Sequence, residues 1–254
     1  MFDYKAYLGG EDEKPLDRLV DDGGLTSILR TVGIVGDSMS SGEFEGRRED
    51  GTNTYTDTFD YSWGQFLARA AGIKVYNMSR GGMNAKWYME TFADEMGFWG
   101  QARECNAFII ALGVNDLLND HLPVGDISDV DFDDYTKNGK TFIGWYAQIA
   151  QKLRKIRPNA PLFFVTMPRD GANGEHRSPR HTELLYELAS RMEKAYVIDL
   201  GKYAPAYDQE YKELFYLYGH LNAAGYYLSS KYIGSYIDYI IRHNLADFDF
   251  QHLA

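Results

Sequence analysis

Short apolar runs alternate along the chain with segments whose apolar residues recur every three or four positions. Strands that are apolar at consecutive positions are covered on both faces of their sheet, which is typical of parallel sheets. Helical spacing over 142–153 and 233–241 predicts two amphipathic helices. The pattern therefore predicts a three-layer α/β/α sandwich with a central parallel sheet. Its strands are expected at 31–36, 74–77, 107–112, 162–166 and 196–199.

The length of 254 residues suits one medium domain, and the composition is that of an ordinary globular protein, with 44% hydrophobic and 25% charged residues. Neither a repeat nor an interdomain linker stands out in the sequence. We therefore expect a single domain over residues 1–254. Within it, 30–243 form the core, 1–29 an N-terminal extension and 244–254 a C-terminal tail.

The net charge of the protein limits the classes of partner that it is expected to bind. The net charge is -11, and no basic run is present to displace counterions from a nucleic acid or to bind an anionic membrane. The start of the sequence lacks the features of a signal peptide, and no apolar stretch is long enough to span a bilayer. The single cysteine, Cys105, cannot form an internal disulfide. These features predict a cytoplasmic protein that binds neither nucleic acid nor membrane, and they leave the oligomeric state open.

The first predicted strand ends in Gly36-Asp37-Ser38. A serine directly after a buried strand lies at the carboxyl edge of the sheet. If a helix follows, its free N–H groups point at whatever binds there. Alone, this tripeptide is more typical of a turn or a helix cap, with Asp37 as the capping carboxylate. Together with other groups at the same edge, it predicts a nucleophilic serine.

Three later fragments supply such groups. Glycines follow the second strand in the segment from Asn77 to Gly82, and Asn115 follows the third strand; both suit the binding of an oxyanion. His220 precedes the last helix, with Asn222 as a plausible N-cap. Each fragment also fits an ordinary turn or an Asx turn. Their coincidence at successive strand ends favours a catalytic site.

Two irregular segments allow further interpretations. The segment 115–134 carries seven aspartates, which suits a solvated surface loop or, as the alternative, a cation site. The loop 169–180 follows the fourth strand and is expected to border the site. His176 and His181 within that region are five apart, which does not suit a metal pair on one helix face.

In order and spacing, these motifs resemble the GDSL/SGNH hydrolases: G-D-S at Ser38, N-x-S-x-x-G ending at Gly82, G-x-N-D containing Asn115, and H-x-N at His220. The resemblance implies a flavodoxin-like α/β/α fold with Ser38 as nucleophile and His220 as general base. It also implies an oxyanion hole made of the N–H groups of Ser38 and Gly82 and the side chain of Asn115. Neither a metal nor an organic cofactor is implied. Asp37, Tyr216 and Tyr218 are expected to line the pocket.

The chain departs from the family at Leu217, where the family usually places an aspartate three residues before the histidine. Leucine cannot orient an imidazole by hydrogen bonding. Three alternatives remain: another group such as Asp208 or Glu213 orients His220, a Ser-His dyad relies on a backbone carbonyl, or catalysis is lost.

The expected reaction is hydrolysis of small acyl esters, acetyl esters included, of carbohydrates or other polar alcohols. A lipid esterase or thioesterase is the alternative enzyme. A non-catalytic binding module on a hydrolase fold is the alternative from another class, because Leu217 replaces the usual acid.

Overall fold

The computed structural model describes residues 8–250, and its centre is a five-stranded parallel sheet in the order β4-β1-β5-β6-β7. The predicted α/β/α architecture and its five strands are confirmed. The nine strands in this part of the chain are β1 (Thr31–Gly36), β2 (Glu43–Arg47), β3 (Asn53–Asp57), β4 (Lys74–Ser79), β5 (Ala107–Ala111), β6 (Leu162–Val165), β7 (Ala195–Ile198), β8 (Tyr216–Leu217) and β9 (His220–Leu221).

Helices cover both faces of the sheet, as the apolar strands require. The α-helices within residues 8–250 are α1 (Ser38–Ser41), α2 (Trp63–Ala71), α3 (Ala85–Trp87), α4 (Ala93–Glu95), α5 (Phe98–Gln101), α6 (Phe142–Ile156), α7 (Pro179–Ser190), α8 (Leu200–Tyr203), α9 (Gln209–Phe215) and α10 (Ala223–His243). The predicted helices over 142–153 and 233–241 correspond to α6 and α10.

Two apolar clusters hold these layers together. On one face, residues of α6 and α7 such as Tyr146 and Leu185 pack against β5 and β6. On the other face, α2 and α10 pack their apolar side chains, Leu67 and Ile237 among them, against the sheet. Because Ile109 and Ile110 of β5 alternate between the two clusters, the central strand anchors both layers.

An antiparallel hairpin, β2–β3, lies outside the central sheet and was not predicted from the sequence. It follows α1 directly, and β2 lies beside β9, the strand that begins at His220. Tyr226 of α10 supports this arrangement, because its buried hydroxyl donates a 2.7 Å hydrogen bond to the Glu43 carbonyl. The hairpin therefore brings its side chains to the end of the sheet where Ser38 lies.

The N-terminal segment runs along α10. The Leu25 N–H donates to Asp238 at 2.8 Å, and the Val20 N–H donates to Ser235 at 2.9 Å. At the other end of the chain, Phe248 stacks with Tyr196. The outermost parts of the predicted extension and tail, 1–7 and 251–254, lie outside the described residues. Among residues 8–250, none of the helices has the length and apolar character needed to cross a bilayer.

Candidate active site

Ser38 is the first residue of α1, a single helical turn directly after β1. Asp37 caps this turn by accepting a 3.0 Å hydrogen bond from the Met39 N–H. The Ser38 N–H belongs to the first turn, where no intrahelical acceptor is available. A side chain at Gly36 would meet the Ser40 hydroxyl at 2.4 Å, so glycine is required for this tight strand-to-helix turn. The partly exposed Ser38 thus carries a backbone N–H that has no acceptor within its own helix.

Asp37 is buried behind the nucleophile. Burial raises the pKa of its carboxyl to about 6, although the Met39 N–H and the charge of His220 act in the opposite direction. The hydrogen bond from the Met39 N–H makes this carboxyl a helix cap. Asp37 also lines the cavity described below.

His220 is oriented by a carboxylate that comes from the hairpin. Its Nδ1 lies 3.2 Å from Oε2 of Glu45. The same oxygen accepts a 2.8 Å hydrogen bond from the Gly219 N–H, and Oε1 accepts another of 2.8 Å from the Asn53 side chain. The side chain of Glu45 is only 8% exposed, so its negative charge is held in place by hydrogen bonds away from water.

The other nitrogen of His220, Nε2, lies 3.1 Å from Oε1 of Glu43. Glu43 and Glu45 are two apart on β2, so both side chains point to the same face of the hairpin. Ionised carboxylates only accept hydrogen bonds, so contacts at both ring nitrogens favour the doubly protonated imidazolium. Burial acts to lower the His220 pKa, but hydrogen bonds to the two glutamates outweigh it and raise the pKa above its ordinary value.

These contacts reduce the alternatives for the group that orients the His220 ring. Leu217 pairs with His220 across the two-residue β8–β9 ladder and is exposed. Asp208 caps α9 through the Tyr211 N–H, and Glu213 accepts from Gln209, so neither of these suggested acids is the partner found at His220. A carboxylate, rather than the backbone carbonyl of the dyad interpretation, faces Nδ1. Glu45 was not predicted from the sequence.

Asn115 begins a π-helical turn after β5 and is buried. Its Nδ2 donates to the Met83 carbonyl at 2.9 Å, while its Oδ1 accepts from Asn119 at 2.6 Å. These bonds fix the orientation of the amide and leave one N–H of Nδ2 unused by them. Gly82 adjoins Met83 and adopts a φ of +72°, which side chains rarely tolerate. The two predicted oxyanion donors therefore belong to adjoining, mutually bonded segments.

Asp116 also connects the segment of Gly82 to the segment of Asn115. It is completely buried, and its Oδ1 accepts a 2.8 Å hydrogen bond from the Ala85 N–H. Its other oxygen has no partner in the described part of the chain. Burial raises the pKa of this carboxyl to about 7. Asp116 thus ties the loop after β4 to the loop after β5.

A cavity of about 390 Å³ opens at this edge of the sheet. Its lining brings together Ser38, Asn115 and His220, with Tyr216 and Tyr218 at its side. Gly82 is not among the described residues that line it. Residues of the loop 169–180, Asp170 and Arg177, also face it, so this loop does border the site.

The other candidates from the sequence take structural positions. The buried His181 contacts the Leu112 carbonyl through Nε2 at 3.3 Å, and burial lowers its pKa to about 4. Aspartates of the acidic segment cap local turns, as Asp126 and Asp129 do in a capping box. Within residues 8–250, no group of three or more histidine, cysteine or acidic residues could hold a metal ion.

The sequence profile of the GDSL-like lipase/acylhydrolase family matches residues 34–228, a span that contains Ser38, Gly82, Asn115 and His220. A search of curated proteins gives no match.

Several solved structures share the fold. A family two carbohydrate esterase from Clostridium thermocellum, solved in complex with cellohexaose, is 16% identical with a TM-score of 0.59, covering 93% of this chain and 67% of that one. A carbohydrate esterase family 2 enzyme from Corynascus thermopiles is 18% identical with a TM-score of 0.56, covering 85% and 67%. A protein from Lactobacillus plantarum is 14% identical with a TM-score of 0.58, covering 83% and 97%.

Proposed function

The chain belongs to the GDSL-like lipase/acylhydrolase family, and on that premise we propose that it is a serine esterase with a Ser38–His220–Glu45 triad. Its proposed substrates are small acyl esters, acetyl esters included, of carbohydrates or other polar alcohols. The observation that carries the proposal is the 3.2 Å contact between His220 Nδ1 and the buried Glu45 carboxylate beside the cavity that Ser38 lines. Glu45 would take the place of the family aspartate that is missing at position 217.

The reaction begins when His220 leaves Glu43 and the proton on Nε2 passes to solvent water. The freed nitrogen accepts the hydroxyl proton of Ser38 as the Ser38 oxygen attacks the ester carbonyl. Glu45 stabilises the imidazolium that forms and holds the ring in place. The N–H groups of Ser38 and Gly82 and the Asn115 amide stabilise the negative oxygen of the tetrahedral intermediate.

Collapse of that intermediate transfers the Nε2 proton to the departing alcohol and leaves Ser38 acylated. Water then gives a proton to His220 and attacks the acyl carbonyl. The second intermediate releases the carboxylic acid, and the same proton returns to Ser38. Atoms and charges balance over the cycle: ester and water give acid and alcohol.

The residues around the cavity favour an ester substrate whose alcohol portion is polar. Tyr218 is about half exposed at the rim, and Tyr55, also exposed, packs edge-on to His220 with ring centroids 5.8 Å apart. Exposed aromatic rings with polar edges suit the faces and hydroxyls of sugars. Carbohydrate esters are therefore the first substrates to test, and the likeness of fold to carbohydrate esterases points the same way.

The test is labelling with a fluorophosphonate probe, combined with hydrolysis of 4-nitrophenyl esters. The parent protein should be labelled and Ser38→Ala should not, with a loss of turnover of about 10⁴-fold or more. Ser40→Ala is the matched control, because Ser40 lies in the same turn and lines the same cavity. An unlabelled, inactive parent would favour the binding-module alternative. Rates that rise with acyl length would favour a lipid esterase or thioesterase.

A further inference from the structure

Two cations and one carboxylate lie on the cavity wall, apart from the proposed triad. Nη1 of Arg177 is 3.4 Å from Oδ2 of Asp170, and Nζ of Lys212 is hydrogen-bonded to Oδ1 of the same carboxylate. All three residues line the cavity that contains Ser38. One carboxylate cannot neutralise two cations, so this cluster keeps a formal charge of +1 in a protein of net charge -11.

The cluster is held in position by its carboxylate. Burial opposes ionisation of Asp170, but hydrogen bonds from Lys212 and the Gly171 N–H, together with the charge of Arg177, keep its pKa below the ordinary value. The backbone of Asp170 exchanges two hydrogen bonds with Glu175, of 2.8 and 2.7 Å, which close the segment 170–175 shortly before Arg177. The ionised Asp170 therefore holds both cations beside it on the cavity wall.

Arg177 retains unused hydrogen-bonding capacity. A guanidinium carries five N–H donors in a planar fork that matches a carboxylate or a phosphate. In the described part of the chain, Asp170 is its ion-pair partner, and 3.4 Å is long for a hydrogen bond. The Arg177 side chain is 27% exposed, and its charge reaches the Asp37 carboxyl behind the nucleophile. A bound anion would thus lie close to the reacting ester.

We propose that Arg177 and Lys212 form a subsite for an anionic group, a carboxylate or a phosphate, carried by the alcohol portion of the substrate. The inference rests on the proposed esterase function and narrows its substrates to acyl esters of acidic sugars or similar anionic alcohols. The charge belongs on the alcohol because a small acyl group such as acetyl carries none. Asp170 braces the two cations without neutralising both.

Matched substrates test the subsite. The neutral reference is a mono-acetylated methyl glucoside, compared with the glucuronate and the 6-phosphate acetylated at the same position. We expect kcat/KM for at least one anionic ester to exceed that for the neutral ester by about tenfold, as expected for one charge-assisted pair. Which anion is preferred distinguishes a carboxylate ligand from a phosphate ligand. High salt should reduce the preference by screening.

Arg177→Gln and Lys212→Gln should each bring the ratio of anionic to neutral kcat/KM towards one. Lys155→Gln, a cation outside the cavity lining, should leave that ratio as in the parent. A ratio near or below one for both anions in the parent, or a preference that survives both cavity variants, would overturn the subsite.

The failure of the esterase proposal is distinguishable from failure of the subsite. A parent that hydrolyses none of the esters fails as an esterase, and calorimetry with unacetylated methyl glucuronide and methyl glucoside 6-phosphate then decides the subsite. Binding of either anion in preference to methyl glucoside, weakened in Arg177→Gln, supports it. The absence of any such preference overturns it.

Discussion

At the residue scale, His220 lies between two carboxylates whose contacts have opposite consequences for catalysis. Glu45 holds Nδ1 and so leaves Nε2 to act on the nucleophile, whereas Glu43 holds Nε2 itself. Only one hydrogen-bonding partner fits along the Nε2 direction at a time. Glu43 therefore competes with Ser38 for Nε2 of His220. Glu45, at Nδ1, supports His220 as the base.

Replacing Glu45 with glutamine should lower kcat by about 10²- to 10⁴-fold. A glutamine can donate to Nδ1 and thereby favour the imidazole form with its proton on Nε2, which cannot accept from Ser38. The measurement is steady-state hydrolysis of 4-nitrophenyl acetate. Asp208→Ala and Glu213→Ala should each cost less than about tenfold. If Glu45→Gln lost equally little activity, the site would work as a Ser-His dyad.

Replacing Glu43 with glutamine should shift the acidic limb of the kcat/KM profile to lower pH. The catalytic form of His220 is neutral, and the raised pKa keeps it protonated, hence inactive, up to a higher pH than usual. Removing the negative charge beside Nε2 lowers that pKa, so the variant gains activity mainly on the acidic side. The position of the acidic limb is read from a kcat/KM profile measured over about pH 5 to 9.

The control for this profile is Glu49→Gln, an exposed glutamate in the loop between β2 and β3 that should leave the limb unmoved. A limb that moved to higher pH in Glu43→Gln would show that Glu43 does not stabilise the protonated imidazole.

At the element scale, the π-helical turn after β5 places two asparagines so that one orients the other. Asn115→Ala should reduce kcat by about 10²- to 10³-fold with little change in KM, because the oxyanion exists only after attack. Asn119→Ala should reduce kcat less, since its side chain donates to Oδ1 of Asn115 and is not one of the proposed oxyanion donors. Equal losses in the two variants, or an effect of Asn115→Ala confined to KM, would contradict oxyanion binding by Asn115.

The central sheet could be predicted because most of its strands contain runs of consecutive apolar residues, and β5 is the clearest case. Such a pattern is local, so it can be recognised without knowing which strands pair with each other. The caps at Asp37 and Asn222 were predictable for the same reason, since each acts on an N–H two or three residues ahead. The strand ends then indicated where Ser38 and Asn115 would meet.

The orienting acid could not be found in this way, because Glu45 and His220 are 175 positions apart. Their contact depends on where the hairpin packs after α1, and spacing in the sequence does not encode that packing. A signal for the hairpin itself was present: Asp50-Gly51, a turn pair, separates Glu43–Arg47 from the Thr- and Tyr-containing Asn53–Asp57. It would have predicted the hairpin but not its position beside His220.

At the scale of the whole molecule, a buried charge cluster joins the N-terminal segment to α10. Arg242 forms a two-bond pair with Glu13, of 2.5 and 2.8 Å, and its Nε donates to Asp238 at 2.7 Å. Asp238 in turn accepts from the Leu25 N–H. The side chains of Arg242 and Asp238 are each 3% exposed, so one buried guanidinium bridges carboxylates from two distant parts of the chain.

Arg242→Met should therefore destabilise the protein by about 3–5 kcal/mol, because it leaves buried carboxylates without their cation. Urea unfolding measures the loss. Arg242 holds the pKa of Glu13 below its ordinary value, so the difference from the parent should shrink towards low pH as Glu13 becomes protonated. Arg180→Met is the matched control: Arg180 also pairs with several carboxylates, those of Asp126, Glu183 and Glu187, but on the surface. That variant should lose less than about 1 kcal/mol. Equal losses would mean that the number of pairs, and not their burial, sets the stability of this connection.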